Sequence, residues 1–190
     1  MIPVKMVTNQ NEFSWTQHQS RGYQSYNVKP ASENVDTLFI SSSMFRHLDH
    51  TRLSTPRQKA GVLFYPGADA SQMSDRITRD PKFHALDKGK VQKVFVMAGT
   101  YNVDRVFDGT CSPTKVNSDL YDLLYKLWAS FVNAKLFVIN LLPRQHQVKN
   151  TIVTNINQLH LEKLCKAYGL VFINTEINVN HCFTHFNGIR

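Results

Sequence analysis

Short unbroken apolar runs alternate along the chain with longer stretches in which apolar residues return every three or four positions. The runs are Thr37-Leu38-Phe39-Ile40, Gly61-Val62-Leu63-Phe64-Tyr65, Val94-Phe95-Val96-Met97, Leu136-Phe137-Val138-Ile139 and Leu170-Val171-Phe172-Ile173. Short continuous runs rich in β-branched and aromatic residues predict strands buried on both faces. A serine cluster, Pro66-Gly67, Gly99 and Pro143 end the first four of them.

Between the runs the period changes. Leu120, Leu123, Leu124, Leu127 and Phe131 share one helical face, with Ser118 placed to cap it. Ile152, Ile156, Leu159 and Leu164 predict a second helix, ended by Gly169 at its C′ position. Ser43 to His50 and Ser71 to Ile77 predict two shorter ones. Strands alternating with helices imply βαβ units, and so an α/β domain of three layers, α/β/α, around a parallel five-stranded sheet of flavodoxin-like type. Ligands of such sheets bind beyond the carboxyl ends of the strands. Ser41-Ser42-Ser43, Pro66 to Asp69, Gly99 to Asn102 and Leu142-Pro143-Arg144 are therefore expected to converge on one edge.

The N-terminal region reads differently. Asn9 to Tyr26 is rich in Gln, Ser and Asn, with Trp15, Tyr23 and Tyr26 among them, and follows neither period. Residues 1–34 are read as a polar arm and 35–190 as the α/β domain. Its aromatics, beside Arg21 and Lys29, could stack on bases, although pinning an arm to a domain surface is their commoner use.

Composition narrows the function. Hydrophobic residues at 42% and charged ones at 19% exclude a disordered chain. A net charge of +8 raises the prior for an anionic partner, nucleic acid among them, although no run of adjacent Lys or Arg stands out. Cys111, Cys165 and Cys182 lack the spacing of a disulfide framework or a zinc site. Reduced thiols, a start at Met1 to Gln10 without an apolar core, and no stretch near ~18 apolar residues predict a soluble intracellular protein without a membrane span. His18, His47, His50, His84, His146, His160 and His181 are expected on the surface, because neither His47 with His50 nor His181 with His185 has a ligand partner at metal-site spacing. No glycine-rich phosphate loop is present, so no cofactor and no metal are expected.

Four segments resemble the blocks of the SGNH (GDSL-type) serine hydrolases, over roughly Val35 to Ile189. Leu38 to Leu48 is similar to the first block, a strand running through Gly-Asp-Ser into a helix. The frame puts Ser43 at the nucleophile position, with Ser41 and Ser42 in place of Gly and Asp. Tyr65 to Ala70 looks like the second block, with Gly67 as the oxyanion glycine. Val96 to Asn102 matches the third, Gly-x-Asn, with Tyr101 where the oxyanion Asn belongs and Asn102 one residue later. Two alignments fit the last block, Asp-x-x-His. One uses Cys182-Phe183-Thr184-His185, keeping His185 as base and losing the Asp. The other makes Phe183 to Arg190 the lead-in, so that the chain stops before its base and its closing helix. Leu141 to Arg144, Asn155 to Leu159 and Gly169 to Asn174 also resemble SGNH-type domains of retroelements and large DNA viruses, which implies ester hydrolysis or assembly roles. Arg144 is a candidate anion contact there.

The resemblance implies the fold of an esterase with altered chemistry. Loss of one oxyanion donor costs about a hundred- to a thousandfold, and loss of the orienting Asp roughly ten-thousandfold. The expectation is a degenerate, weakly active or non-catalytic binding or assembly module with an anionic partner. The alternative is an active serine esterase acting on an acyl or acetyl ester through Ser43.

Overall fold

The structure, a computed structural model, describes residues 34–45 and 48–175 and the backbone of 13–18 and 23–28. The five apolar runs form β3 (Thr37–Ser41), β4 (Ala60–Phe64), β5 (Lys93–Met97), β6 (Lys135–Ile139) and β7 (Val171–Ile173). All five are parallel, in the order β4-β3-β5-β6-β7. This order reverses direction between β3 and β5, and that switch point is where a sheet of this kind opens a crevice.

The sheet is wider than the predicted five strands. Phe13–His18 (β1) and Tyr23–Val28 (β2) pair antiparallel, and β2 pairs antiparallel with β4, making seven strands. The polar composition of residues 1–34 hid these strands. Edge strands need no continuous apolar run, and Phe13-Ser14-Trp15-Thr16 carries only a short period-two alternation.

Register sorts the side chains into two faces. Leu38, Val94 and Leu136 stand opposite one another, as do Ile40, Val96 and Val138. These residues share one core with α2 (Ala70–Arg79), α3 (Pro81–Ala85), α4 (Thr100–Phe107), α5 (Pro113–Ser130), α6 (Gln147–Asn155) and α7 (Glu162–Tyr168). In α5 alone Leu120, Leu123 and Leu127 are fully buried, contributing about 2 kcal/mol each. On the opposite face Phe39, Phe95 and Phe137 stack ring on ring, with centroids 5.0 and 4.6 Å apart. There Phe45 and Leu48 pack against Val62 and Phe64, ahead of the short α1 (His50–Leu53). The layers are thus helices α2–α7, the sheet, and the segment carrying α1.

Three local expectations need correction. The cap of α5 is Ser112, whose Oγ accepts from the Lys115 amide at 3.2 Å, with Pro113 at the first helical position; Ser118 lies inside the helix. The helix expected over Ser43 to His50 is not seen in its described residues: Ser42 to Phe45 bend and turn, Leu48 and Asp49 are irregular, and α1 begins at His50. Finally, His50 is buried, at 4% exposure, rather than on the surface. Ser71 to Ile77 falls within α2, and Gly169 ends α7 in the left-handed conformation at φ 65°. Among the described residues no helix is long and apolar enough to cross a membrane.

Candidate functional site

The four segments expected at the carboxyl edge do meet there. Ser41, Phe64 and Met97 end their strands in register, so the chain leaves β3, β4 and β5 side by side. Hydrogen bonds then stitch the loops together. The Tyr65 amide donates to the Ser41 carbonyl at 2.9 Å, the Ala70 amide to Asn102 Oδ1 at 2.9 Å, and Arg144 Nη2 to the Thr100 carbonyl at 3.1 Å.

At the first loop, Ser41 and Ser42 are buried and Ser43 is partly exposed. Ser41 Oγ accepts from the Phe45 amide at 2.9 Å. A serine side chain that takes a nearby amide competes with helix formation, and this bond closes a turn where the family block has a helix. Ser43 therefore stands in a bend, without the free amides and dipole that a helix start would offer an oxyanion. Ser42 Oγ is buried without a hydrogen-bond partner among the described residues.

At the second loop, Gly67 takes φ 68° in the turn that follows β4. The next acidic residue, Asp69, is fully buried and caps α2: its Oδ1 accepts from the Gln72 amide at 2.8 Å, and Gln72 Oε1 accepts from the Asp69 amide. Asp69 Oδ2 also receives the Arg105 guanidinium, tying α2 to α4. Asp69 is expected at this edge but not as a cap, although Asp-x-x-Gln ahead of a helical stretch is a legible capping box.

At the third loop, Gly99 leads into α4 at φ 105°, where an added Cβ would lie 3.4 Å from Leu141 Cδ1. The backbone angle favours glycine here, while the space itself would take a Cβ at ordinary contact distance. The two oxyanion candidates part company. Tyr101 lies in the first turn of α4 with 40% of its surface exposed, whereas Asn102 is fully buried. Asn102 Oδ1 is committed to Ala70, and its Nδ2 has no partner among the described residues.

The fourth loop is anchored from below. Asn157 accepts from the Leu141 amide at 2.8 Å and donates to the Leu141 carbonyl at 3.0 Å. Asn157 lies in the π-helical stretch Ile156–Leu161 joining α6 to α7, where the wider turn re-aims side chains. Asn140, which unlike the half-buried Asn157 is buried, accepts from the Thr175 amide at 3.0 Å and so holds the chain leaving β7. No periodic signal marks either asparagine. Beyond them, Arg144 Nη2 lies 3.9 Å from Asp104 Oδ2, and Lys149 Nζ lies 2.7 Å from Asp104 Oδ1. Two cations share one carboxylate, leaving this corner of the edge positive.

Of the predicted site residues, the structure brings together the segments of Ser43, Gly67, Tyr101, Asn102 and Arg144. His185, His47 and His181 lie outside the described residues. Among the described histidines, His84 Nε2 bonds the Thr78 carbonyl at 2.7 Å, the His146 ring packs edge-on against Phe107, and His50 Nδ1 has no partner. None bonds Ser43. Among the described residues, no three His, Cys, Asp or Glu side chains converge as a metal site would require.

No protein-family model and no curated protein matches the sequence. Solved structures do match the fold. A Streptococcus pneumonia protein assigned as a platelet activating factor superposes with a TM-score of 0.58 at 18% identity, over 74% of this chain and 66% of that one. This chain thus spans just under two thirds of that protein. A catalytic mutant of an acetylxylan esterase from Geobacillus stearothermophilus gives 0.57 at 11% identity, over 81% and 80%. A GDSL-like lipase from Bacteroides thetaiotaomicron gives 0.56 at 16%, over 77% and 71%. With the strand order, the joined edge loops and these likenesses together, the chain has an SGNH/GDSL hydrolase-like fold.

Proposed function

We propose that this SGNH/GDSL-like domain is a non-catalytic binding or assembly module for an anionic partner. The observation that carries this reading is the fate of the third block. Asn102, the carboxamide of that block, is fully buried, and its Nδ2, the group that would have to donate to an oxyanion, is closed off from solvent. The bend at Ser43 supports it, since Met44 and Phe45 behind the hydroxyl form a turn rather than a helix start. The anionic partner is supported by the net charge of +8 and by Arg144 and Lys149 on a single carboxylate at the edge. Ser43 is nonetheless partly exposed at the carboxyl edge, and the fold is shared with esterases, which favours acyl or acetyl ester hydrolysis as the second reading.

Turnover of p-nitrophenyl acetate by the wild-type chain and by Ser43→Ala separates the two. The module reading expects the same low rate from both. A rate lost in Ser43→Ala, by the hundredfold or more that removal of a nucleophile brings, overturns it and assigns Ser43 as the nucleophile.

A further inference from the structure

At the amino edge of the sheet, on the face away from α2–α7, a cleft of about 230 Å³ opens between β3, β5 and the loop joining α1 to β4. It lies at the other end of the strands from the edge loops. Thr37 and Lys93 line it as the first residues of β3 and β5, and four strand residues, ~13 Å, carry the chain from them to Ser41 and Met97. Phe39 and Phe95 form its floor, and Leu53, 38% exposed, one wall. Central parallel strands are normally covered on both faces, yet Phe39 and Phe95 are only half-buried. Apolar surface is therefore left open here by the described residues.

Two cations line the same cleft, Lys59 and Lys93, with Gln58 and Thr37 beside them, and no carboxylate does. Asp36 fixes both lysines through the backbone: its amide donates to the Lys59 carbonyl at 2.9 Å, and its carbonyl accepts from the Lys93 amide at 3.1 Å. The Asp36 carboxylate is the acid beside them, and its Oδ2 accepts from the Lys59 amide at 2.7 Å. Among the described residues no ion pair engages Lys59 or Lys93. The loop wall is set as well, since the Thr55 amide donates to the Gln58 carbonyl at 2.7 Å and Ser54 Oγ accepts from the Ala60 amide at 3.0 Å. Walls fixed beforehand spare a ligand the cost of ordering them.

The lining chooses both ends of the occupant. Two ammonium groups, a hydroxyl and a carboxamide call for an anionic head that accepts hydrogen bonds. Phe95 stands between Phe39 and Phe137, parallel to each within 13°, so both faces of its ring are taken, and Phe45 meets Phe39 edge-on at 5.9 Å. The floor thus presents hydrocarbon edges, which suit a flexible chain better than another stacked ring. A cleft smaller than a drug-sized site holds a short chain. We infer that this cleft binds a short-chain acyl carboxylate, its head on Lys59 and Lys93 and its tail over Phe39, Phe95 and Leu53. The site is distinct from the edge loops and stands whichever reading of Ser43 holds.

The test titrates butyrate, hexanoate and octanoate into the full chain and follows backbone amide shifts by NMR, with acetate as a head without a tail and hexanol as a tail without a charge. Each methylene that enters the cleft is expected to strengthen binding about fourfold, and hexanoate to bind more tightly than either acetate or hexanol. The shifting amides are expected to include Thr37, Lys59, Ala60 and Phe95. The double variant Lys59→Gln, Lys93→Gln is expected to weaken hexanoate binding about fivefold or more, two ion pairs being lost, with hexanol unchanged. Leu53→Glu, at an exposed position, is expected to abolish hexanoate binding, and it keeps the test decisive should the double variant fail to fold. Hexanol bound as tightly as hexanoate overturns the anionic head, and one affinity for the whole chain-length series overturns the tail. Shifts confined to other parts of the chain, or none with any of the carboxylates, overturn the site.

Discussion

Asn102 Oδ1 accepts a hydrogen bond from the Ala70 amide at 2.9 Å, joining the first turn of α4 to the first residue of α2. Helix starts leave amides without partners inside the helix, and a buried one left open is costly. Asn102 closes one of these at zero exposure. The Asp69–Arg105 pair spans the same two helices. The carboxamide oxygen is therefore part of the scaffold holding two edge loops together, while Nδ2, the donor that a hydrolase reading would aim at an oxyanion, is buried.

The consequence is measurable. Asn102→Ala removes the acceptor and leaves the Ala70 amide open, at a cost of about 1–3 kcal/mol. For a chain of this length that lowers Tm by about 2–4 °C per kcal/mol. Calorimetry should record the drop, while p-nitrophenyl acetate turnover stays at the wild-type level. A variant that melts like the wild type but turns over the ester more slowly would return Asn102 to the chemistry.

How much of this was legible in the sequence depends on the kind of signal each feature leaves. The five parallel strands were, because strands buried on both faces must be apolar at every position. Phe39, Phe95 and Phe137 on one face, and Leu38, Val94 and Leu136 on the other, are what that looks like in sequence. The edge strands β1 and β2 were not, since pairing along one side does not demand such runs. At the site, positions follow from frame, so the segments of Ser43, Gly67 and Asn102 could be placed beforehand. Roles follow from partners, and those were hidden. Nothing in Ser41-Ser42-Ser43 says that the first hydroxyl takes the Phe45 amide and turns the expected helix into a bend. Nor does a single asparagine reveal that Asn157 holds both backbone groups of Leu141.

Cys165 offers a check on the helical layer. It is buried at 1% exposure in α7, and that burial pushes its thiol up to about 11. At pH near 8 roughly one molecule in a thousand then carries the reactive thiolate, before access is considered. Cys111 is only partly buried. Brief iodoacetamide treatment of the native chain, followed by peptide mass spectrometry, should label Cys111 and spare Cys165. Equal labelling of the two would mean that α7 does not pack on the core as described.

His160, in the π-helical stretch between α6 and α7, gives stability a pH dependence of predictable sign. Burial, and secondarily the charge of Lys163, hold its imidazole below the usual value. Between that lowered value and about 6.5, where an unfolded histidine titrates, the unfolded chain binds more protons than the native one. Its neutral form thus contributes stability that is fully present above about 6.5 and is lost as pH falls through the window below. Urea midpoints should drop as pH is lowered through this range, and the drop should be smaller in His160→Gln, which keeps a polar side chain and cannot titrate. Equal slopes in the two proteins would mean that His160 titrates in the folded chain as it does in water, and that the segment beneath Leu141 is more open than its buried neighbours Ile156 and Leu161 imply.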